Sequence, residues 1–130
     1  KSIIETDYVR NLTLVALTGE FGFGSVIGIG AYMLEPQKNM AEVAFSVSKR
    51  WQGKGIAEIM IHKLAEAARN NDIDGLVAYT EPANRGMIRL FEKLPYKIYK
   101  TRDEDILVLS SRFDEPAEAQ NAPKNRNPKK

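Results

Sequence analysis

The chain has no cysteine, a single histidine (His62) and one tryptophan (Trp51). It also lacks any apolar run approaching the ~18 residues of a bilayer-spanning helix. Without cysteine there is neither a disulfide framework nor a thiol nucleophile, and with His62 alone the usual zinc ligands are missing. No metal is therefore expected, and any catalysis must draw on carboxylates, hydroxyls, backbone dipoles or a bound cosubstrate. No secretory leader is recognisable, which makes a cytoplasmic protein without a membrane partner the expectation. A large charge excess is absent too. The net charge is +2, and four of the basic residues fall in the last seven positions, which excludes the basic face that nucleic-acid binding needs.

What is present fits one ordinary soluble domain of 130 residues. Residues 11–17, NLTLVAL, alternate and then run apolar, as a half-buried strand does. After the turn TGEFGFG (18–24), residues 25–34 form a second strand-like run, in which Gly28 and Gly30 imply a bulge or the close approach of another group. Residues 41–48, AEVAFSVS, give a third strand, with Val43, Phe45 and Val47 on one face and Glu42, Ala44 and Ser46 on the other. From Gly55 to Asn71 the period becomes helical through Ile56, Met60, Leu64 and Ala67. LVAYT (76–80) reads as a short buried strand, and residues 83–94 as an amphipathic helix stopped by Pro95. Two further strands are expected near YKIYK and DILVL. The order β-β-β-α-β-α-β-β is that of a mixed α/β or α+β domain. The folded domain is expected over 1–113. Residues 114–130, rich in Glu, Pro, Asn and Lys, are expected to form a disordered tail.

The glycines fail both common nucleotide-loop patterns. Gly22, Gly24 and Gly28 miss the dinucleotide spacing, and Gly53-Lys54 is followed by Gly55 where a P-loop requires Ser or Thr. What remains is a strand, then Gln52-Gly53-Lys54-Gly55-Ile56-Ala57, then a helix. Small residues at 53, 55 and 57 allow a tight turn and close contact with backbone, while first-turn N–H groups remain unpaired donors. Such a turn suits a phosphate or pyrophosphate, and a ligand-free strand-to-helix connection is the alternative.

QGKGIA, set directly after a strand, resembles the Gln/Arg-x-x-Gly-x-Gly/Ala signature of the GNAT superfamily of N-acetyltransferases. EPANRGMIRLFEKLPYK resembles that family's second motif, and the ordered likeness covers roughly residues 8–109. ETDYVRNLTLVAL and AEVAFSV are further similar to the acetyltransferase domains of bacterial protein lysine acetyltransferases fused to acyl-CoA synthetase-like domains. The resemblance implies a GNAT fold whose opening strand and helices lie upstream of Lys1, with fused domains as possible neighbours in a longer protein.

It also implies acetyl-CoA as cosubstrate and an amine acceptor, first a protein lysine and otherwise a small-molecule amine or a protein N-terminus. The pyrophosphate would lie on Gln52, Gly53, Lys54, Gly55, Ile56 and Ala57. The backbone of Phe45, Ser46 and Val47 would hold the pantetheine arm in a gap between two splayed strands, with one N–H polarising the acetyl carbonyl. Glu42 matches the family's general base, and Asn84 the asparagine beside the pantetheine. Asn84 is equally a routine helix cap. Arg85 and Arg89 are candidates for the phosphates or plain solvent-facing arginines; Trp51 reads as a buried anchor rather than a lid. Two positions depart from the pattern. Phe91 stands where many members have a proton-donating tyrosine, leaving Tyr79 and Tyr96 as substitutes, and Pro95 replaces a glycine. A non-catalytic acyl-CoA-binding module is the rival reading from another class.

Overall fold

Period-two patterning in the first third of the chain produces three strands in succession, and the helical period after Gly55 produces the crossover that brings the next strand in parallel to the third. The computed structural model describes residues 10–19 and 24–117. Within them β1 (Asn11–Leu17), β2 (Val26–Glu35) and β3 (Met40–Val47) form an antiparallel meander. Helix α1 (Ile56–Asn70), β4 (Gly75–Thr80), helix α2 (Arg85–Glu92), β5 (Tyr99–Asp103) and β6 (Ile106–Arg112) complete the α+β order expected from the sequence.

The sheet order is β1-β2-β3-β4-β6-β5. All neighbouring strands are antiparallel except β3 and β4, whose α1 crossover makes them parallel. Helix α1 buries Met60, Ile61, Leu64, Ala65 and Ala68, and α2 buries Phe91. Ile61, Leu64, Ala65, Ala68 and Phe91 join Tyr32, Val43, Leu76 and Leu109 in one core. Each large side chain so buried contributes roughly 1.5–3 kcal/mol. Gly28, Gly30 and Tyr32 of β2 turn toward α1, and Ile29 and Met33 toward the other face, where they are 42% and 61% exposed. Among the described residues, the sheet is covered by helices on one face and open on the other.

The strand near DILVL is found as β6, whereas the one near YKIYK is shifted toward the C-terminus. The apolar signal of YKIYK comes from Tyr96 and Ile98, which pack on the core, whereas sheet pairing begins at Tyr99 and uses an exposed polar edge strand. The tail boundary also differs. Lys97 N–H donates to Glu115 O at 2.9 Å and Ala117 N–H to Pro95 O at 3.2 Å, so paired backbone continues past residue 113. The expected tail beyond 117, most of the 18–24 turn and the opening residues lie outside the described residues.

Candidate active site

Strands β3 and β4 pair at Met40↔Gly75, Ala41↔Leu76 and Glu42↔Val77, and then part. From Val43 onward β3 stays with β2, while β4 pairs with β6 through Thr80. A wedge therefore opens in mid-sheet, with Glu42 at its vertex. Ser48 N–H donates to Ile27 O at 2.9 Å, which fixes the alternation of the β2–β3 ladder. Ala44 and Ser46 direct their backbone groups to β2, and Phe45 and Val47 direct theirs into the wedge. Of the three residues expected to offer free backbone, Phe45 turns both its N–H and its C=O into the wedge and Val47 its N–H, the Val47 carbonyl accepting from Gln52. Ser46 spends its N–H and C=O on the ladder, because side-chain and hydrogen-bond directions both alternate along a strand.

The wedge opens onto the glycine loop. Lys49–Trp51 forms one 3₁₀ turn, and Gln52 Nε2 donates to Val47 O at 3.0 Å, tying the loop to the strand end. Gly53 and Gly55 have φ of +79° and +87°, a left-handed conformation that disfavours any Cβ. A Cβ at either would have no neighbour within 4 Å, so the glycines border open space. Gly55 is the N-cap of α1 and supplies no side-chain cap bond. The first helical N–H groups thus face that space as unpaired donors at the positive end of a helix.

A cleft of about 570 Å³ joins these parts on the helix-covered side of the sheet. Phe45 and Val47 form one wall, Gly53, Gly55 and Ala57 its end, and Met87 and Leu90 of α2 the opposite wall. Gln52, Ile56, Asn84 and Arg89 also line it, whereas Ser46, Lys54 and Arg85 do not. Asn84 Oδ1 accepts from Met87 N–H at 3.1 Å and its Nδ2 donates to Thr80 Oγ1 at 2.7 Å, so it caps α2 while facing the cleft. Trp51 is half-buried on the cleft wall rather than a buried anchor, because the 3₁₀ turn holds it at the mouth. Glu58 and Lys93, an ion pair at 3.7 Å between the two helices, line the cleft as well. Nothing in their local sequence separates them from ordinary helix-surface charges.

Glu42 lies on the open face, since its neighbour Val43 is buried toward the helices. Across that face Tyr79 Oη donates to Glu35 Oε2 at 2.9 Å. Burial of the phenol, then the bond to Glu35, then the negative charges of Glu35 and Glu42 push its pKa from 10.0 to about 12. A phenol so held is a poor proton donor to a thiolate, whose conjugate acid has a pKa near ~8.5. Tyr96 is no better placed, accepting from Arg69 Nη1 at 3.4 Å and stacking edge-on with Phe113. Phe91 is wholly buried. Among the described residues no helix is long and apolar enough to cross a membrane, and no cluster of three or more His, Cys, Asp or Glu side chains could hold a metal.

The family model described as "Acetyltransferase (GNAT) family" matches residues 3–96. An acetyltransferase of Pseudomonas aeruginosa is 27% identical over 107 residues, covering 82% of this chain and 58% of the relative. Among solved structures, the GNAT domain of the S. lividans protein PAT superposes with a TM-score of 0.68 at 28% identity, covering 82% of this chain and 63% of that one. An IAA acetyltransferase from Bacillus cereus shares the fold, with a TM-score of 0.64 at 23% identity and coverage of 87% and 85%. The chain spans less than two thirds of the length of the first two relatives.

Proposed function

The chain belongs to the GNAT acetyltransferase family, and on that premise we propose that it transfers an acetyl group from acetyl-CoA to the amine of a protein lysine by direct attack. One observation carries the reading: β3–β4 pairing stops at Glu42↔Val77, beside a glycine loop whose helix-start donors face open space. A wedge with free N–H and C=O groups on one strand fits an extended amide-bearing arm, and the loop fits the diphosphate at its end.

The two sides of the sheet divide the work. The loop N–H groups from Gly53 to Ala57 hold the diphosphate, with Gln52 bracing the loop against Val47 and Lys54 adding charge from outside the cleft. Phe45 and Val47 bind the arm through backbone. One of their N–H groups donates to the carbonyl oxygen as it gains charge. The amine reaches the carbonyl from the open face, where Glu42 removes its proton, directly or through a water. A C–N bond forms, the C–S bond breaks, and the thiolate leaves with the electron pair. A thiol pKa near ~8.5 lets solvent protonate it without a dedicated acid.

The lysine acceptor is supported by the likeness to the GNAT domain of S. lividans PAT. Thioester chemistry in a chain without cysteine suits the cytoplasm, and domains fused upstream would steer the acceptor. Incubating the protein with acetyl-CoA and a deacetylated cell lysate, then mapping adducts by mass spectrometry, tests this. New acetyl-lysines support it; acetylated N-termini or small amines redirect it, and binding without transfer favours the non-catalytic acyl-CoA-binding module.

A further inference from the structure

We propose that Gly30 sets the width of the thioester channel by seating the Phe45 ring; the inference rests on the reading of the wedge as an acyl-CoA site. Gly30 of β2 stands directly opposite Phe45 of β3, and both face the helices. A Cβ at Gly30 would lie 2.9 Å from Phe45 Cδ1, 3.0 Å from Cε1 and 3.1 Å from Met60 Sδ. The residue is not in a left-handed conformation, so space rather than backbone freedom calls for glycine. Glycine in mid-strand gives up side-chain packing and weakens the strand. Here the vacated volume is taken by the ring.

The direction of any displacement follows from the neighbours. A ring pushed off Gly30 cannot move toward β2, and the side under α1 is shared with Met60, whose sulfur lies 3.1 Å from the same Cβ position. The remaining way out is over the gap on the far side of β3, where Phe45 already lines the cleft. A side chain at position 30 therefore drives the ring into the channel, and a smaller side chain at position 45 widens it. Gly30 is a positioning residue acting through Phe45. Gly28 offers an internal comparison. It lies on the same face of the same strand, but a Cβ there would meet Ile56 at 3.4 Å and Met60 and Val47 at 3.5 Å, ordinary contacts.

The test is calorimetric titration of the full chain with acetyl-CoA and butyryl-CoA, using wild type, Gly28→Ala, Gly30→Ala, Phe45→Leu and the Gly30→Ala/Phe45→Leu pair. Gly28→Ala should bind as wild type, and Gly30→Ala roughly ten-fold more weakly, with the larger loss for butyryl-CoA. Phe45→Leu should raise affinity for butyryl-CoA relative to acetyl-CoA about three-fold, a change expected of a methylene-scale pocket. The double variant should return to within about two-fold of wild type, the coupling expected of residues in contact. A folded Gly30→Ala that binds like Gly28→Ala, or a double variant no better than Gly30→Ala, overturns the proposal. Should Gly30→Ala fail to fold, Phe45→Leu decides, and an unchanged butyryl-to-acetyl ratio overturns it. A wild type that binds neither thioester overturns the acyl-CoA reading and this inference together. Normal wild-type binding with no effect at position 30 overturns this inference alone.

Discussion

Glu42 and Val77 form the last facing pair of β3 and β4, and from that pair the two strands diverge. The candidate base therefore sits where the sheet begins to open, on the face away from both helices. A cosubstrate arm entering from the helix side and an amine arriving from the open side would meet there.

Backbone direction gives the first prediction. Val47 turns its N–H into the wedge, and Ser46 turns its own toward Ile29. Val47→Pro should fold and lose acetyl-CoA affinity. Ser46→Pro, which removes a ladder bond inside the sheet and leaves a carbonyl of β2 without its donor, should lower stability by about 1–3 kcal/mol. Denaturant titration paired with calorimetry separates the two, and equal stability losses would contradict the assignment.

Gly55 separates conformational strain from ligand contact. Gly55→Ala meets no atom within 4 Å but must adopt a φ of +87°. Its expected destabilisation is about 1–2 kcal/mol. Gly55→Trp should fill the space above the loop and abolish acetyl-CoA binding in a protein that still unfolds cooperatively. Retained binding would remove the loop from the site.

Tyr79 predicts an alkaline signature. Its pKa is raised from 10.0 in the unfolded chain to about 12 in the folded one by burial, the bond to Glu35, and the charges of Glu35 and Glu42. The stabilisation is complete below pH 10 and is lost as pH rises toward 12, because the unfolded chain ionises first. Thermal midpoints of wild type should fall more steeply over that window than those of Tyr79→Phe. With solvent protonating the leaving thiolate, Tyr79→Phe should transfer acetyl groups at neutral pH within about three-fold of wild type.

Much of this was readable in the sequence, for identifiable reasons. The alternation in Asn11–Leu17 and the helical period from Ile56 report burial directly. Gly53 and Gly55 announce a backbone that only glycine adopts readily. The wedge between β3 and β4 leaves no mark in side-chain pattern, because it concerns which backbone groups lack a partner; only the family resemblance pointed to it. The bounds of the strand over Tyr99–Asp103 are not legible, because an exposed edge strand carries polar residues while the apolar Tyr96 and Ile98 just before it pack on the core. Contacts across the fold, such as Glu58 with Lys93 and Tyr79 with Glu35, join residues too far apart in the chain for local pattern to couple them.

The most direct test of the account is the steady-state rate and acetyl-CoA affinity of Glu42→Gln, measured with an acetylatable lysine acceptor. The isosteric amide keeps the strand and removes the proton acceptor. The rate should fall by ~10²-fold or more with the dissociation constant for acetyl-CoA nearly unchanged. A rate equal to that of wild type would contradict the assignment of Glu42 as the base.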